Sequence, residues 1–418
     1  MSNRYLGYAL GVIFSANFLS YLDRQLVSAL GTRLIEHFKL SDAEFGWVGS
    51  AFTIGYMVFA PIVGALIVRV RRTWVFAACV FVWSVATIAS GYAPSKWLLY
   101  GTRFFIGVGE AGCLVVGPTL LSDYFSKEVR GKVLSVFFLA LPLGGTAGYV
   151  VGGQLAKHFG WQQAFLFAGL PGFLIGALIL ALKDPSRGGG EDPHHPQVGV
   201  RGYLDLLRNR TLVFIILAQA FAVTFLQPLL HFGVPFFEKE RSMTNEQATL
   251  TLGVIALVAG GLGNMLSGII GDRLAKKGIQ GPYSLLAGAA FALGFPCLLI
   301  GFLAGQKPVW LGGLGLGAFF YFLCMPAVNT QIANATRPSE RPTAFALAVF
   351  ILHLLGDTGA NPAFGKVSDL LQSKQKAFLI FSVFLLPAAV ACFLASRRAP
   401  ADESRAASDS PTPAVKKV

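Results

Sequence analysis

Twelve separate runs of about 20 predominantly apolar residues follow one another along the 418-residue chain, and no other feature restricts its fold so strongly. They lie near 5–30, 46–68, 74–92, 97–121, 133–156, 162–182, 211–236, 247–271, 283–304, 308–334, 343–370 and 377–395. In hydrocarbon every backbone N–H and C=O must be satisfied inside the segment, so runs of this length predict membrane-spanning α-helices. Composition agrees, with 54% hydrophobic and 13% charged residues against about 25% charged in soluble chains. A soluble multidomain enzyme is thereby excluded. Nucleic-acid binding is set aside as well, although Lys and Arg exceed Asp and Glu by 34 to 21, because in a polytopic membrane protein that excess belongs to cytoplasmic loops.

Charge and polarity divide the chain into blocks. The longest polar gap, 183–210, contains Gly188-Gly189-Gly190 and Pro193-His194-His195-Pro196, a composition that buries no core and reads as a cytoplasmic linker. It separates a six-span block, 1–182, from a second, 211–395, and the polar segment 396–418 reads as a disordered cytoplasmic tail. With the amino terminus in the cytoplasm, Arg69, Arg71, Arg72, Lys127, Arg130, Lys132, Arg273, Lys276 and Lys277 share its side. That arrangement puts roughly twice as many basic residues inside as outside and places both termini in the cytoplasm. The first run is too long for a signal-peptide core and lacks a cleavage site, so it is read as a retained span. Short loops without a targeting peptide point to a bacterial inner membrane and a monomer. Cys79, Cys113, Cys297, Cys324 and Cys392 all fall in apolar runs without a CxxC pair, and no histidine has metal-ligand spacing; they read as packing residues, and neither a metal nor another cofactor is expected.

The two blocks repeat each other. Gly64-Ala-Leu-Ile-Val68-Arg69-Val-Arg71-Arg72 follows the second span and Gly268-Ile-Ile-Gly-Asp272-Arg273-Leu-Ala-Lys276-Lys277 follows the eighth, at one common offset. A duplicated six-helix unit is a transporter signature, since two half-bundles can move about a central site. The second copy resembles the loop motif of the major facilitator superfamily, with Gly268, Asp272 and Arg273 as its gating residues. Within that superfamily the chain resembles the spinster family, through Asn17-Phe18-Leu19-Ser20-Tyr21-Leu22-Asp23-Arg24, Gly101-Thr102-Arg103 with Gly107-Val-Gly109-Glu110-Ala-Gly112, and His353-Leu-Leu-Gly356-Asp357 with Pro362. The resemblance implies a twelve-helix, all-α fold of two pseudo-symmetric halves and transport of a lysolipid, sphingoid-type lipid or lipophilic drug. The first-half loop departs from the motif by carrying Val68 in place of its Asp, so an outward-facing state is expected to be less firmly latched.

Ionisable groups inside apolar spans are costly and default to function. They are Asp23, Arg24, Arg103, Glu110 and Asp357. At about 1.5 Å rise per residue, Asp23 lies roughly 11 Å and Arg103 roughly 9 Å below the external surface, with Glu110 about 10 Å deeper. Arg103 and Glu110 are two turns apart on one face of the fourth span, and with Asp23 and Arg24 their formal charges sum to zero. Arginine does not titrate, so any proton coupling runs through Glu110 and Asp23, while Arg24 and Arg103 compensate charge and meet a substrate head group. The spinster resemblance implies the same roles. A fixed ion-pair lattice that only orients the first and fourth spans is the alternative.

Other candidates are polar or aromatic. Thr224, Gln227 and His231 recur at helical spacing as a stripe on the seventh span, and Tyr21, Tyr56, Phe221, Phe225, Phe232, Tyr321 and Asn329 are further cavity candidates. His353 precedes Asp357 by one helical turn, which permits either a local pair or a carboxylate serving backbone freed near Gly359 and Pro362. Gly107 to Gly112 matches GxGxxG, yet inside an apolar helix without a preceding strand it reads as close helix packing, as does the row Gly144, Gly148 and Gly152. The expectation is a secondary active transporter working by alternating access, driven by a proton gradient, with an amphipathic or lipid substrate. A small organic anion is the alternative substrate. A lipid-modifying enzyme is disfavoured, because external His37 and His158 lack an accompanying acid or nucleophile.

Overall fold

The structure, a computed structural model, describes residues 2–185, 206–337 and 340–408. Among these residues there is no strand, and 12 helices are long and apolar enough to cross a membrane. They are α1 Asn3–Ala29, α2 Asp42–Arg69, α3 Arg72–Gly91, α4 Lys96–Tyr124, α5 Val129–Phe159, α6 Trp161–Leu180, α7 Arg210–Glu240, α8 Asn245–Lys276, α9 Pro282–Leu303, α10 Lys307–Ala335, α11 Thr343–Leu371 and α12 Lys374–Ser404. Each expected span overlies one of them. Their ends differ where polar turns prolong the helix beyond its apolar run. The start of α2 is an example: Ser41 Oγ accepts from Glu44 N (3.2 Å) while the Glu44 carboxylate accepts from Ser41 N (2.9 Å), a capping box that begins the helix ahead of the apolar stretch.

The carboxyl-terminal end corrects the sequence expectation. The tail expected to be disordered from 396 is helical as far as Ser408, because its acids have partners: Asp402 accepts from Thr211 N (3.1 Å) and Thr211 Oγ1 (2.7 Å), and Glu403 accepts from Gln331 Nε2 (2.9 Å). Residues 409–418, and 186–205 of the expected linker, lie outside the described residues.

The chain forms two compact units. The first comprises Met1–Pro193, Leu226–Leu257 and Asp357–Phe378, and the second His194–Phe225, Val258–Gly356 and Leu379–Val418. Unit boundaries thus pass within α7, α8, α11 and α12 as well as through the linker. In the first unit α2 packs on α4, α3 on α4 and α6, and α1 on α5, around a core that includes Phe76, Trp83, Val116, Leu120 and Phe137. Small residues set the closest approaches, as the glycine row predicts. A Cβ on Gly144 would meet the Phe18 carbonyl at 2.5 Å, and Gly148 abuts the carbonyl of Leu22, so α5 lies directly on the backbone of α1. In the second unit α9 packs on α10 and α12.

Helix α11 is interrupted. A π-helical turn, Leu352–Asp357, separates Arg341–Ile351 from Ala360–Leu371. Pro362 has no N–H to give to the preceding turn, which helps account for a break of the kind that recurs at functional positions.

Candidate functional site

Four helices of the first unit bring the charged side chains together. Ser20 and Arg24, one turn apart on α1, both reach the same oxygen of Glu110 on α4: Ser20 Oγ donates to Oε2 at 2.8 Å and Arg24 Nε at 2.7 Å. The Glu110 side chain is fully buried and that of Arg24 is 21% exposed. Three rings surround the Arg24 guanidinium, Tyr21 at 4.9 Å, Phe52 at 4.9 Å and Tyr56 at 5.2 Å to the ring centroids, a cage that offsets its loss of water through cation–π attraction. The second pair lies alongside. Asp23, also buried, accepts from Thr87 Oγ1 of α3 at 2.5 Å, and Asp23 is the opposite charge acting most strongly on Arg103. The Arg103 guanidinium lies 5.3 Å from the Phe52 ring centroid, so one phenylalanine serves both arginines.

Within the cluster Arg24 pairs directly with Glu110, while Asp23 and Arg103 act on each other without a direct ion pair, and the formal sum is zero. Neither acid is saturated. Glu110 Oε1, Asp23 Oδ1, Arg24 Nη2 and Arg103 Nε and Nη1 are buried with no hydrogen-bond partner among the described residues. In a low-dielectric interior such groups strongly favour a partner that completes them.

The remaining candidates do not join this cluster in one piece. Thr224 donates to its own helix at Ala220 O (2.9 Å), and Gln227 is half-buried. His231 is 6% exposed, stacked on Phe45 with centroids 4.2 Å apart and bonded through Nε2 to Phe45 O at 2.8 Å. Tyr321 is 2% exposed and packs on Phe291, centroids 6.0 Å apart, because it faces α9 inside the second unit. Phe225 and Phe232 are likewise buried, and Phe221 stacks on Phe384. Asn329 accepts from Gln219 Nε2 at 3.3 Å, an uncharged polar pair in the second unit. His353 and Asp357 both fall in the π turn of α11. In the second-half loop, Gly268 and Arg273 are exposed and Asp272 accepts from Tyr283 Oη of α9 at 2.7 Å. Val68 of the first-half loop is 66% exposed. Beside it Arg72 ties the base of α3 to Asp123 (2.5 Å), Asp184 (3.0 Å) and Pro185 O (2.8 Å).

A second polar constellation, absent from the sequence reading, sits at the distal end of the first unit, the side on which α1 ends and α2 begins. Asp369 of α11 accepts from the backbone N–H of Asp42 and of Ala43 (both 2.9 Å), capping the amino terminus of α2. Asp42 in turn accepts from Ser368 Oγ (2.7 Å) and Lys374 Nζ (2.5 Å). Glu240 of α7 caps the start of α12 at Lys374 N and Gln375 N and accepts from Ser373 Oγ (3.1 Å). Asn245 Nδ2 of α8 donates to Ala29 O at 3.0 Å. Backbones touch here as well, since Gly46 of α2 lies against Asn361 O. The capping box Ser41-x-x-Glu44 was the one readable signal of this constellation; its partners are far away in sequence.

The sequence profile described as Major Facilitator Superfamily matches residues 13–360. The sphingosine-1-phosphate transporter SPNS2 of Mus musculus is 30% identical over 390 residues, covering 87% of this chain and 70% of the relative, and that of Danio rerio is 30% identical over 391 residues, covering 87% and 76%. Protein spinster of Drosophila melanogaster is 28% identical, covering 87% and 62%. Among solved structures, a bacterial homolog of the human lysosomal transporter spinster, in an inward-facing and occupied conformation, superposes with a TM-score of 0.84 at 21% identity over 96% of this chain and 99% of that one.

Proposed function

The chain belongs to the major facilitator superfamily and, within it, to the spinster family, and from that premise we propose that it is a proton-coupled transporter of an amphipathic lipid with an anionic head group. It is an integral membrane protein and a transporter rather than an enzyme. The observation that carries the reading is the neutral cluster of Asp23, Arg24, Arg103 and Glu110, in which both acids and both bases keep unfilled hydrogen-bonding atoms. Protonation of Glu110 removes the charge that holds Arg24, and protonation of Asp23 removes the opposite charge that acts on Arg103 without touching it. Each released guanidinium then has the fork of donors that suits a phosphate or carboxylate. An aromatic cage beside these charges suits a substrate with an apolar body, and the substrate named for the SPNS2 relatives has that chemistry.

In this reading the chain works as a monomer in a bacterial inner membrane with both termini in the cytoplasm, and the distal constellation faces outward as the closed gate of the alternating-access cycle. The blocks 1–182 and 211–395 are its two six-helix halves, joined by 183–210. The free donors of Arg103 favour a small organic anion as the second reading, since they fit any anionic group.

Uptake of a fluorescent lysolipid into proteoliposomes, with and without an imposed pH gradient, tests the proposal. Gradient-driven flux in the wild type, lost in Glu110→Gln and in Asp23→Asn, is expected. Flux that ignores the gradient and is equal in all three proteins would sink the proton-coupled reading. Lysolipid that is not moved at all while an organic anion is moved would establish the second.

A further inference from the structure

Hydroxyl groups inside apolar helices usually satisfy themselves on the carbonyl one turn back. Ser84 does so at Val80 O (2.7 Å), Ser90 at Ala86 O (3.0 Å) and Thr224 at Ala220 O (2.9 Å). Three buried hydroxyls of the first unit instead reach a carboxylate on another helix: Ser368 on Asp42 at the distal end, and Ser20 and Thr87 in the charge cluster. Ser20 Oγ crosses from α1 to Glu110 Oε2 on α4, and Thr87 Oγ1 crosses from α3 to Asp23 Oδ2 on α1. Each acid of the cluster thus receives one hydroxyl on one oxygen, and on each the other oxygen is the one left without a partner.

We propose that Ser20 and Thr87 are positioning residues that fix one oxygen of Glu110 and one of Asp23, so that the transported proton adds at Glu110 Oε1 and at Asp23 Oδ1. The inference rests on the proton-coupled reading above. The step is a simple addition: carboxylate and proton give a carboxylic acid, with the O–H bond formed on the unpartnered oxygen. The hydroxyl hydrogen bond survives, because the held oxygen remains an acceptor when its neighbour is protonated. What weakens is the attraction for the arginine. The hydroxyl therefore keeps the carboxyl plane fixed through both halves of the cycle while the guanidinium is released.

The titratable groups facing Glu110 are Tyr21, Asp23 and Arg24 of α1, Tyr56 of α2, and Arg103 and Cys113 of its own helix. Asp23 faces Arg103 and Arg24. His231 of α7 and Cys79 of α3 act at one remove, on Arg103 and Cys113 respectively. None of these groups has to move for a hydroxyl to be deleted, so the two hydroxyls can be tested one at a time.

The test measures the pH profile of lysolipid flux in proteoliposomes. A hydroxyl that donates to the ionised carboxylate favours that form, so Ser20→Ala is expected to move the midpoint of the profile to higher pH by about one unit. Thr87→Ala is expected to move it in the same direction. Ser20→Thr and Thr87→Ser, which restore the donor, are expected to return the wild-type profile. Ser20→Cys, whose thiol is a weaker donor of similar size, gives an intermediate shift and keeps the test available if the alanine variant fails to insert. Ser50→Ala is the control, because the Ser50 hydroxyl is buried on α2 without touching either acid. Unshifted profiles in Ser20→Ala and Thr87→Ala, with Glu110→Gln insensitive to the gradient, would overturn this inference and leave the proton reading standing. A Glu110→Gln profile identical to wild type would remove the proton reading itself.

Discussion

Four carboxylates of the first unit are handled in two opposite ways. At the distal end, Asp369 uses Oδ1 and Oδ2 on two backbone N–H groups of α2, and Glu240 uses both oxygens on the start of α12 and on Ser373. In the charge cluster, Glu110 and Asp23 each commit one oxygen and leave the other buried without a partner. Protonating Asp369 or Glu240 breaks a bond to a fixed backbone donor, so these acids act as clamps. Protonating Glu110 or Asp23 at its unpartnered oxygen breaks no hydrogen bond, as the proposed role of proton carrier requires. The number of filled acceptor positions distinguishes the two groups of acids where burial and charge alone do not.

The largest expected effect follows from removing a carrier. Glu110→Gln leaves Arg24 with no opposite charge in a buried cage; losing one partner of a buried pair costs about 3 kcal/mol, read as a lower melting temperature in detergent, and flux loses its dependence on the pH gradient. Adding Arg24→Gln to that variant is expected to recover most of the stability and none of the coupling. Next in size is the clamp ion pair: Lys374, with a side chain only 7% exposed, sits on Asp42, and Lys374→Met is expected to cost about 2 kcal/mol while leaving coupling to protons intact. Asp369→Asn removes the charge from a helix cap worth about 1 kcal/mol and is expected to raise external thiol labelling of a Ser368→Cys reporter several-fold over the same reporter with Asp369 in place. If Asp369→Asn abolished proton coupling and Glu110→Gln did not, the division into clamps and carriers would be reversed. Smallest is Val68→Asp, which restores the superfamily's loop residue. It is expected to shift labelling modestly toward external exposure, and an unchanged pattern counts against a role for that position in latching.

The architecture was legible because the hydrocarbon interior leaves few options. Twelve long apolar runs have one solution in helices, and charges stranded within them had to be paired. The seven-residue spacing of Arg103 and Glu110 placed both on one face, and depth set Asp23 level with Arg103 but Glu110 about 10 Å deeper. Which acid takes which arginine did not follow, because depth fixes height in the membrane and not rotation about the helix axis. Ser20 and Thr87 stayed hidden for a related reason. Serine and threonine in apolar helices usually bond their own backbone, as Ser84 and Ser90 do, and only tertiary packing reveals a hydroxyl that crosses to another helix. Asp42, Asp369 and Lys374 lie at the ends of spans, where charges are ordinarily solvated, and the turn of α11 that brings Asp369 over the start of α2 has no local signature. The continuation of α12 to Ser408 was missed because Asp402 and Glu403 read as solvent-facing, whereas Thr211 and Gln331 receive them. His231 was placed on the right helix in a polar stripe, yet the stripe is shared out among a helix carbonyl, a half-buried amide and the carbonyl of Phe45.

Proton movement per substrate remains the quantity on which the division between carriers and clamps depends. A pH-sensitive dye sealed inside proteoliposomes, monitored while an outward lysolipid gradient is imposed without any initial pH difference, reports it. Wild type and Asp369→Asn are expected to change the internal pH in step with lysolipid flux, and Glu110→Gln to move lysolipid with no change in internal pH. A wild type that moves lysolipid without moving protons, or a Glu110→Gln that moves as many per substrate as wild type, would contradict the assignment of Glu110 as the proton carrier.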